Sequence, residues 1–318
     1  MKRILVTAGG TATAWHIATI AKRYFSNEII LHVCDTNESY LVPVSVIADK
    51  THKVPSTIDR SYPDVIKKIV IDEQIDCIIP LIPYEGLLFA NDADFIKKLN
   101  IGTTAASMKT TRLLADKANM YKTLATIGIP TPRLFQKDEV DESNIYLLKP
   151  RQGFGSSGVE IVTGKDIIVS SEKYNLEDNV ISEYCHADDY DEITVEIYNG
   201  REGLFVFPRR RIATKAGVCT KMEPVHNHIF YDFIKKLVRA IKCPLAFNAQ
   251  FLFHEKQWKL FDCNLRLGAG TALSTAAGFQ LTRALLAELV EQEVKGEFFK
   301  VDNKIKSVLR VYQEIAIK

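Results

Sequence analysis

Lys149-Pro150-Arg151-Gln152-Gly153-Phe154-Gly155-Ser156-Ser157-Gly158 lies between two short apolar runs, residues 145–148 and 159–162. The glycines follow G-x-G-x-x-G, a spacing shared by unrelated loops, so the flanks decide its meaning. A dinucleotide-binding loop must open a helix. Strand-like residues stand on both sides here, which predicts a glycine-rich hairpin of the kind that covers nucleotide phosphates in protein kinases. Glycine lets backbone N–H groups come close to phosphate oxygens, and Ser156 and Ser157 add hydroxyl donors. Lys149 supplies a positive charge for the same anion. A Walker-type loop is excluded because Val159, not lysine, follows the last glycine.

Downstream, a second strand-rich stretch carries polar residues at alternate positions. Asn248 and Gln250 share one face of a predicted strand, and Asp262 and Asn264 share one face of the next. A hairpin turning on Glu255-Lys256-Gln257 sets Gln250 opposite Asp262, Asn248 opposite Asn264 and Leu252 opposite Leu260. One carboxylate among amides is an oxygen-rich set suited to Mg²⁺. Arg266 continues the row and is able to grip phosphate bidentately.

Upstream, the first ~110 residues alternate strand and helix signals, predicting a parallel sheet with helices on its faces. Ligands of such sheets sit beyond the carboxyl ends of the strands. That places 7–10, 35–37 and 83–85 around one cleft. Residues 111–127 read as one amphipathic helix, followed by short strands at 180–184, 192–198 and 204–211, a helix at 229–241 and another at 281–294. An apolar segment around 305–315 is expected to return as a strand.

Composition is that of a folded chain. The 318 residues suggest about two domains, and 47% hydrophobic with 25% charged residues excludes disorder and coiled coil. Forty-one basic against 39 acidic residues leaves +2, no general argument for nucleic acid or anionic membrane. No apolar run approaches the ~20 residues of a membrane span. The six scattered cysteines lack a C-x-x-C pair, so reduced thiols in the cytoplasm are expected.

Taken in order, these motifs resemble the ATP-grasp superfamily, in particular its carbamoyl-phosphate-synthase-like carboxylate–amine ligases. The resemblance implies a mixed α/β and α+β fold. Residues 1–110 would form a Rossmann-like pre-ATP-grasp domain and residues 111–318 the ATP-grasp domain. Within the latter, about 111–185 would bear the flap and about 186–318 the metal site.

It further implies that Lys117 of Asp116-Lys117 and Lys149 contact ATP phosphates, with Gly155, Ser156 and Ser157 in the flap. Glu183, Tyr184 and Cys185 would hold adenine, and Glu192 the ribose. Gln250, Asp262 and Asn264 would ligate Mg²⁺. Arg266, Lys149 and Arg211 would stabilise the transferring phosphoryl group. Glu85, Lys221, Gly268, Thr271 and Ser274 would face the substrates, a small-molecule carboxylate and an amine, in a possible homodimer. Two departures stand out: Asp262 replaces the usual glutamate and Leu265 the usual proline. The alternatives are bicarbonate activation of the carbamoyl-phosphate type, a non-catalytic ATP-binding regulator, and a dehydrogenase built on residues 1–110.

Overall fold

The structure, a computed structural model, describes residues 1–153, 158–169, 174–184 and 191–317. Its first unit runs β1 (Lys2–Val6), α1 (Ala12–Tyr24), β2 (Ile29–Asp35), β3 (Lys50–Lys53), α2 (Tyr62–Asp72), β4 (Cys77–Ile79), α3 (Glu85–Leu88), α4 (Asp94–Leu99) and β5 (Gly102–Thr103). The strands form a parallel sheet in the order β3-β2-β1-β4-β5. Its βα turn after β1 is closed from within. Ala8 takes a positive φ of 51°, Thr11 caps α1, and the Gly10 N–H donates to Asp35 Oδ2 at 2.7 Å. Asp35 Oδ1 accepts from both the backbone and side chain of Asn37. The acid that a dehydrogenase would turn toward a ribose is thus used up internally.

Helices α5 (Met108–Ala115) and α6 (Lys117–Thr126) replace the single helix expected over 111–127. Asp116 breaks it: its backbone is extended, and its side chain accepts from the Asn119 N–H as the N-cap of α6. After Pro83 come the two short helices α3 and α4, separated by residues 89–93.

A four-stranded antiparallel sheet follows, built from β6 (Leu134–Phe135), β7 (Ile145–Pro150), β8 (Glu160–Thr163), α7 (Gly164–Val169) beside it, and β9 (Asn179–Glu183), in the order β6-β9-β7-β8. The hairpin β7–β8 is the glycine-loop hairpin read from sequence; residues 154–157 at its tip, including Gly155, Ser156 and Ser157, lie outside the described residues.

The third sheet contains β10 (Glu192–Gly200), β11 (Gly203–Lys215), β12 (Val218–Pro224), β13 (Ala246–His254), β14 (Gln257–Asn264) and β15 (Val308–Leu309), ordered β14-β13-β10-β11-β12-β15 and antiparallel throughout. Helix α8 (Ile229–Ala240) packs with α5 and α6 on one face of it, where Tyr121, Leu124, Phe230, Leu237, Phe247 and Phe251 are buried together. Helices α9 (Thr271–Ala276) and α10 (Leu281–Leu289) lie on the other side. There α10 joins the core of the parallel sheet itself: Ile4, Val6, Ile17 and Ala21 share a cluster with Leu281, Leu285 and Leu286. Each such side chain removed from water contributes roughly 1.5–3 kcal/mol, so the first and third sheets are one hydrophobic unit.

Candidate active site

The hairpin β13–β14 positions the candidate metal ligands, and a bulge sets their faces. Its turn has only two residues, Glu255 and Lys256, both at positive φ (49° and 64°), the signature of a type I′ turn. From that turn the register pairs Leu252 with Lys259 and Phe251 with Leu260. The expected Leu252–Leu260 pair is therefore wrong. If that register continued, Gln250 would meet Phe261, and Asp262 would point to the opposite face. Instead Phe261 is an extra residue, and beyond it Gln250 pairs with Asp262 and Asn248 with Asn264. The bulge thus brings all four polar side chains to one face.

These side chains form a connected row. Asn264 Nδ2 donates to Asp262 Oδ2 at 2.9 Å and to Asn248 Oδ1 at 3.4 Å. In the orientation that satisfies both its amide atoms, Gln250 donates to Asp262 Oδ2 at 2.9 Å and accepts from Arg211 Nη1 at 2.8 Å. Arg211 also pairs with Glu192 and donates to the Gly217 carbonyl at 2.9 Å. Glu192, Arg211, Gln250, Asp262 and Asn264, drawn from four strands, thereby meet at one place. A carboxylate and two amides that can present oxygen fit a hard cation such as Mg²⁺.

Lys117 and Lys149 approach this row from α6 and β7. Asp116, besides capping α6, pairs with Arg151 at 2.9 Å, and the Lys117 N–H donates to the Arg151 carbonyl. Lys117 is thus fixed to the strand carrying Lys149. Its ammonium donates to the Gly153 carbonyl at 3.3 Å. Burial lowers its pKa, while Asp262 and Asp116 oppose that effect, which places it in the field of the candidate metal ligand. Lys149 is buried and donates to the Tyr121 hydroxyl at 3.0 Å. That hydroxyl donates in turn to the carbonyl of Phe261, the bulge residue, at 2.9 Å. Arg266 lies nearby, partly buried. Burial lowers its pKa, and Asp262 and Glu85 hold its charge.

Other expected residues are placed differently. Glu183 ends β9, but its carboxylate is held by the Arg133 N–H at 2.9 Å, by Lys259 at 2.5 Å and by His254 at 3.2 Å. Its carboxylate is thus already engaged by three partners from β14, β13 and the segment before β6. Lys259 pairs with both Glu183 and Glu255, so the Glu183–His254–Glu255 group already holds one of the protein's own cations. Tyr184 follows β9 and is half-buried; Cys185 lies outside the described residues.

Glu85 is buried behind the site rather than facing substrate. Its oxygens accept from Thr7 at 2.6 Å, from the Ile82 N–H at 3.1 Å and from Tyr62. Burial raises its pKa against those hydrogen bonds. Thr271 and Ser274 are likewise sealed, with Thr271 donating to Glu196 at 3.1 Å. They lie behind the turn that carries Gly268, which is partly exposed next to Asn248. Lys221 is exposed on β12.

Sequence reasoning missed Tyr121 and Arg310, and for Arg209 it missed the burial. Tyr121 was simply one residue of a helix. Arg209 is buried with Glu196 at 3.2 Å, and its guanidinium lies so close to Gly270 that a Cβ there would come within 2.0 Å of Nη2. Arg310 follows β15 and donates to the Ala269 carbonyl, placing a cation beside the same turn. Its only sequence signal was a lone arginine in an apolar run.

Comparison with known proteins matches both parts of the chain. Residues 4–104 match the PylC-like N-terminal domain and residues 114–270 the ATP-grasp domain. A carbamoyl-phosphate synthase of Methanobrevibacter smithii is 24% identical over 256 residues, 72% of this chain, and the match spans 66% of that protein. Among solved structures, the biotin carboxylase domain of Hydrogenobacter thermophilus 2-oxoglutarate carboxylase superposes over 95% of this chain and 72% of its own, with TM-score 0.76 and 14% identity. Staphylococcus aureus N5-carboxyaminoimidazole synthetase covers 92% and 78% respectively, with TM-score 0.70 and 14% identity. Behind a PylC-like N-terminal domain at residues 4–104, the chain thus carries an ATP-grasp domain at residues 114–270.

Proposed function

We propose that this chain is an ADP-forming ligase that activates a carboxylate as an acyl phosphate for attack by an amine. The observation that carries this reading is the convergence of Lys117 from a helix and Lys149 from a separate sheet on the Gln250–Asp262–Asn264 row. A carboxylate is a poor electrophile because its charge repels nucleophiles; phosphorylation removes that charge and supplies a leaving group. ATP and the acid lose ADP to give the acyl phosphate, and the amine then displaces phosphate to give the amide.

The protein's part is to position reactants and offset charge. Lys117 and Lys149 hold phosphate oxygens, and Arg266 and Arg211 face the phosphoryl group in transfer. Mg²⁺, held by Gln250, Asp262 and Asn264, would screen the β- and γ-phosphate oxygens. Gly268, Lys221 and Arg310 lie toward the substrate side. Water must be kept from the acyl phosphate, the role of the glycine hairpin in this reading. The division at about residue 110, the cytoplasmic setting and a homodimer belong to the same proposal; the Hydrogenobacter domain is described as a dimer, and gel filtration tests the last point.

A second reading takes bicarbonate as the acid. It is favoured by the carbamoyl-phosphate synthase relative and by the bicarbonate in the Hydrogenobacter complex. One experiment separates the two: ADP release and hydroxamate formation with hydroxylamine, across carboxylic acids and bicarbonate. An acid-dependent hydroxamate supports the ligase; ADP release with bicarbonate alone supports the second reading. Lys149→Ala and Asp262→Ala are each expected to lower ADP release at least about 100-fold in folded protein. Full activity in either removes the site assignment.

A further inference from the structure

The Tyr121 hydroxyl joins two parts of the site that come from different sheets. It accepts from Lys149 Nζ on β7 at 3.0 Å and donates to the Phe261 carbonyl on β14 at 2.9 Å. Both Tyr121 and Lys149 are buried, at 3% and 6% exposure, so water does not compete freely for these bonds. The Phe261 carbonyl belongs to the residue whose insertion puts Asp262 on the face of Gln250. Tyr121 itself lies four residues after Lys117 on α6, so the helix presents both from one face.

Resting on the ATP-dependent reading above, we propose that Tyr121 is a positioning residue that couples the phosphate lysine Lys149 to the bulge setting the metal ligands. A phenol suits this place because one oxygen both accepts from an ammonium and donates to a carbonyl. The ammonium polarises the phenol and strengthens its donation to Phe261. Phenylalanine keeps the ring, whose centroid lies 5.3 Å from Lys149 Nζ, and loses both hydrogen bonds. The aromatic contact and helix packing are preserved, so the variant isolates the hydroxyl.

The test is calorimetric binding of ATP to the full chain over a series of Mg²⁺ concentrations, with wild type, Tyr121→Phe, Lys149→Met and the double variant. Thermal melts establish that each is folded. Tyr121→Phe is expected to weaken ATP binding about tenfold and to raise the Mg²⁺ concentration that gives half the full affinity. In the Lys149→Met background the same change is expected to cost about twofold at most, because one bonded partner is already gone. A tyrosine that merely fills space would show equal losses in both backgrounds and no change in Mg²⁺ dependence. Equal losses, or wild-type affinity in Tyr121→Phe, overturn the proposal. Absence of ATP binding to wild type overturns the ATP-dependent reading, and this proposal falls with it.

Discussion

Strands β10 and β11 carry two arginine–glutamate pairs that differ mainly in their distance from the cleft. Arg211–Glu192 stands at its edge, where Arg211 also reaches Gln250 and the Gly217 carbonyl. Arg209–Glu196 lies four residues along β10, with side chains 4% and 0% exposed. Burial raises the Glu196 pKa, and Arg209 and Thr271 oppose that by holding its charge. The same two residue types thus do different work. The inner pair braces the Gly268–Gly270 turn, and the outer pair belongs to the polar row. Arg210, between them on the opposite face, pairs with Asp191 in a partly exposed position.

Replacing Arg209 by alanine is expected to have the largest effect, a loss of about 3–5 kcal/mol in urea unfolding, because Glu196 would be left buried without its cation. A loss under about 1 kcal/mol would mean that the inner pair does not brace the turn. A smaller effect is expected from acid at the same inner region. His16 on α1 contacts Thr275 of α9 at 3.1 Å, and burial, aided by Arg310, lowers its pKa to about 4 from 6.5. The unfolded state takes up the proton first, so stability should fall as pH drops from about 6.5 to about 4, by up to about 3 kcal/mol. A His16→Gln variant should lack that portion of the pH dependence; an unchanged profile would remove His16 as its source. The smallest stability change is expected at the outer pair. Arg211→Ala should reduce ADP release about tenfold to a hundredfold, while its melting curve shifts by about 1 kcal/mol or less. A folded Arg211→Ala protein with full activity would detach the outer pair from the chemistry.

Alternation along a strand at 204–211 puts Arg209 and Arg211 on one face and Arg210 on the other, so part of this contrast can be read from the chain. Alternation does not report depth, however, and so could not tell which arginine would be sealed. The strand pair 246–264 shows the same limit. Gln250 and Asp262 were correctly paired from a three-residue turn, whereas the molecule uses a two-residue turn and restores the pairing with a bulge at Phe261. Positive φ at Glu255 and Lys256 gave no glycine signal. Asp116 was legible as part of a motif but not as a helix cap, since its capping role depends on where the chain enters α6. Glu85 looked like a cleft residue because it follows a strand end; Tyr62, from a distant helix, turns it inward. Tyr121 and Arg310 gain their places only through tertiary contacts that no local pattern encodes.

The core shared by β1, α1 and α10 also bears on how the protein is made. Residues 2–24 leave the ribosome more than 250 residues before Leu281 and Leu285, which complete their cluster. Until then, one side of the parallel sheet has an unfinished apolar surface, the kind of nascent intermediate that chaperones shield. Closure between such distant segments is a slow, non-local step, so the arrival of α10 gates maturation of the first strand.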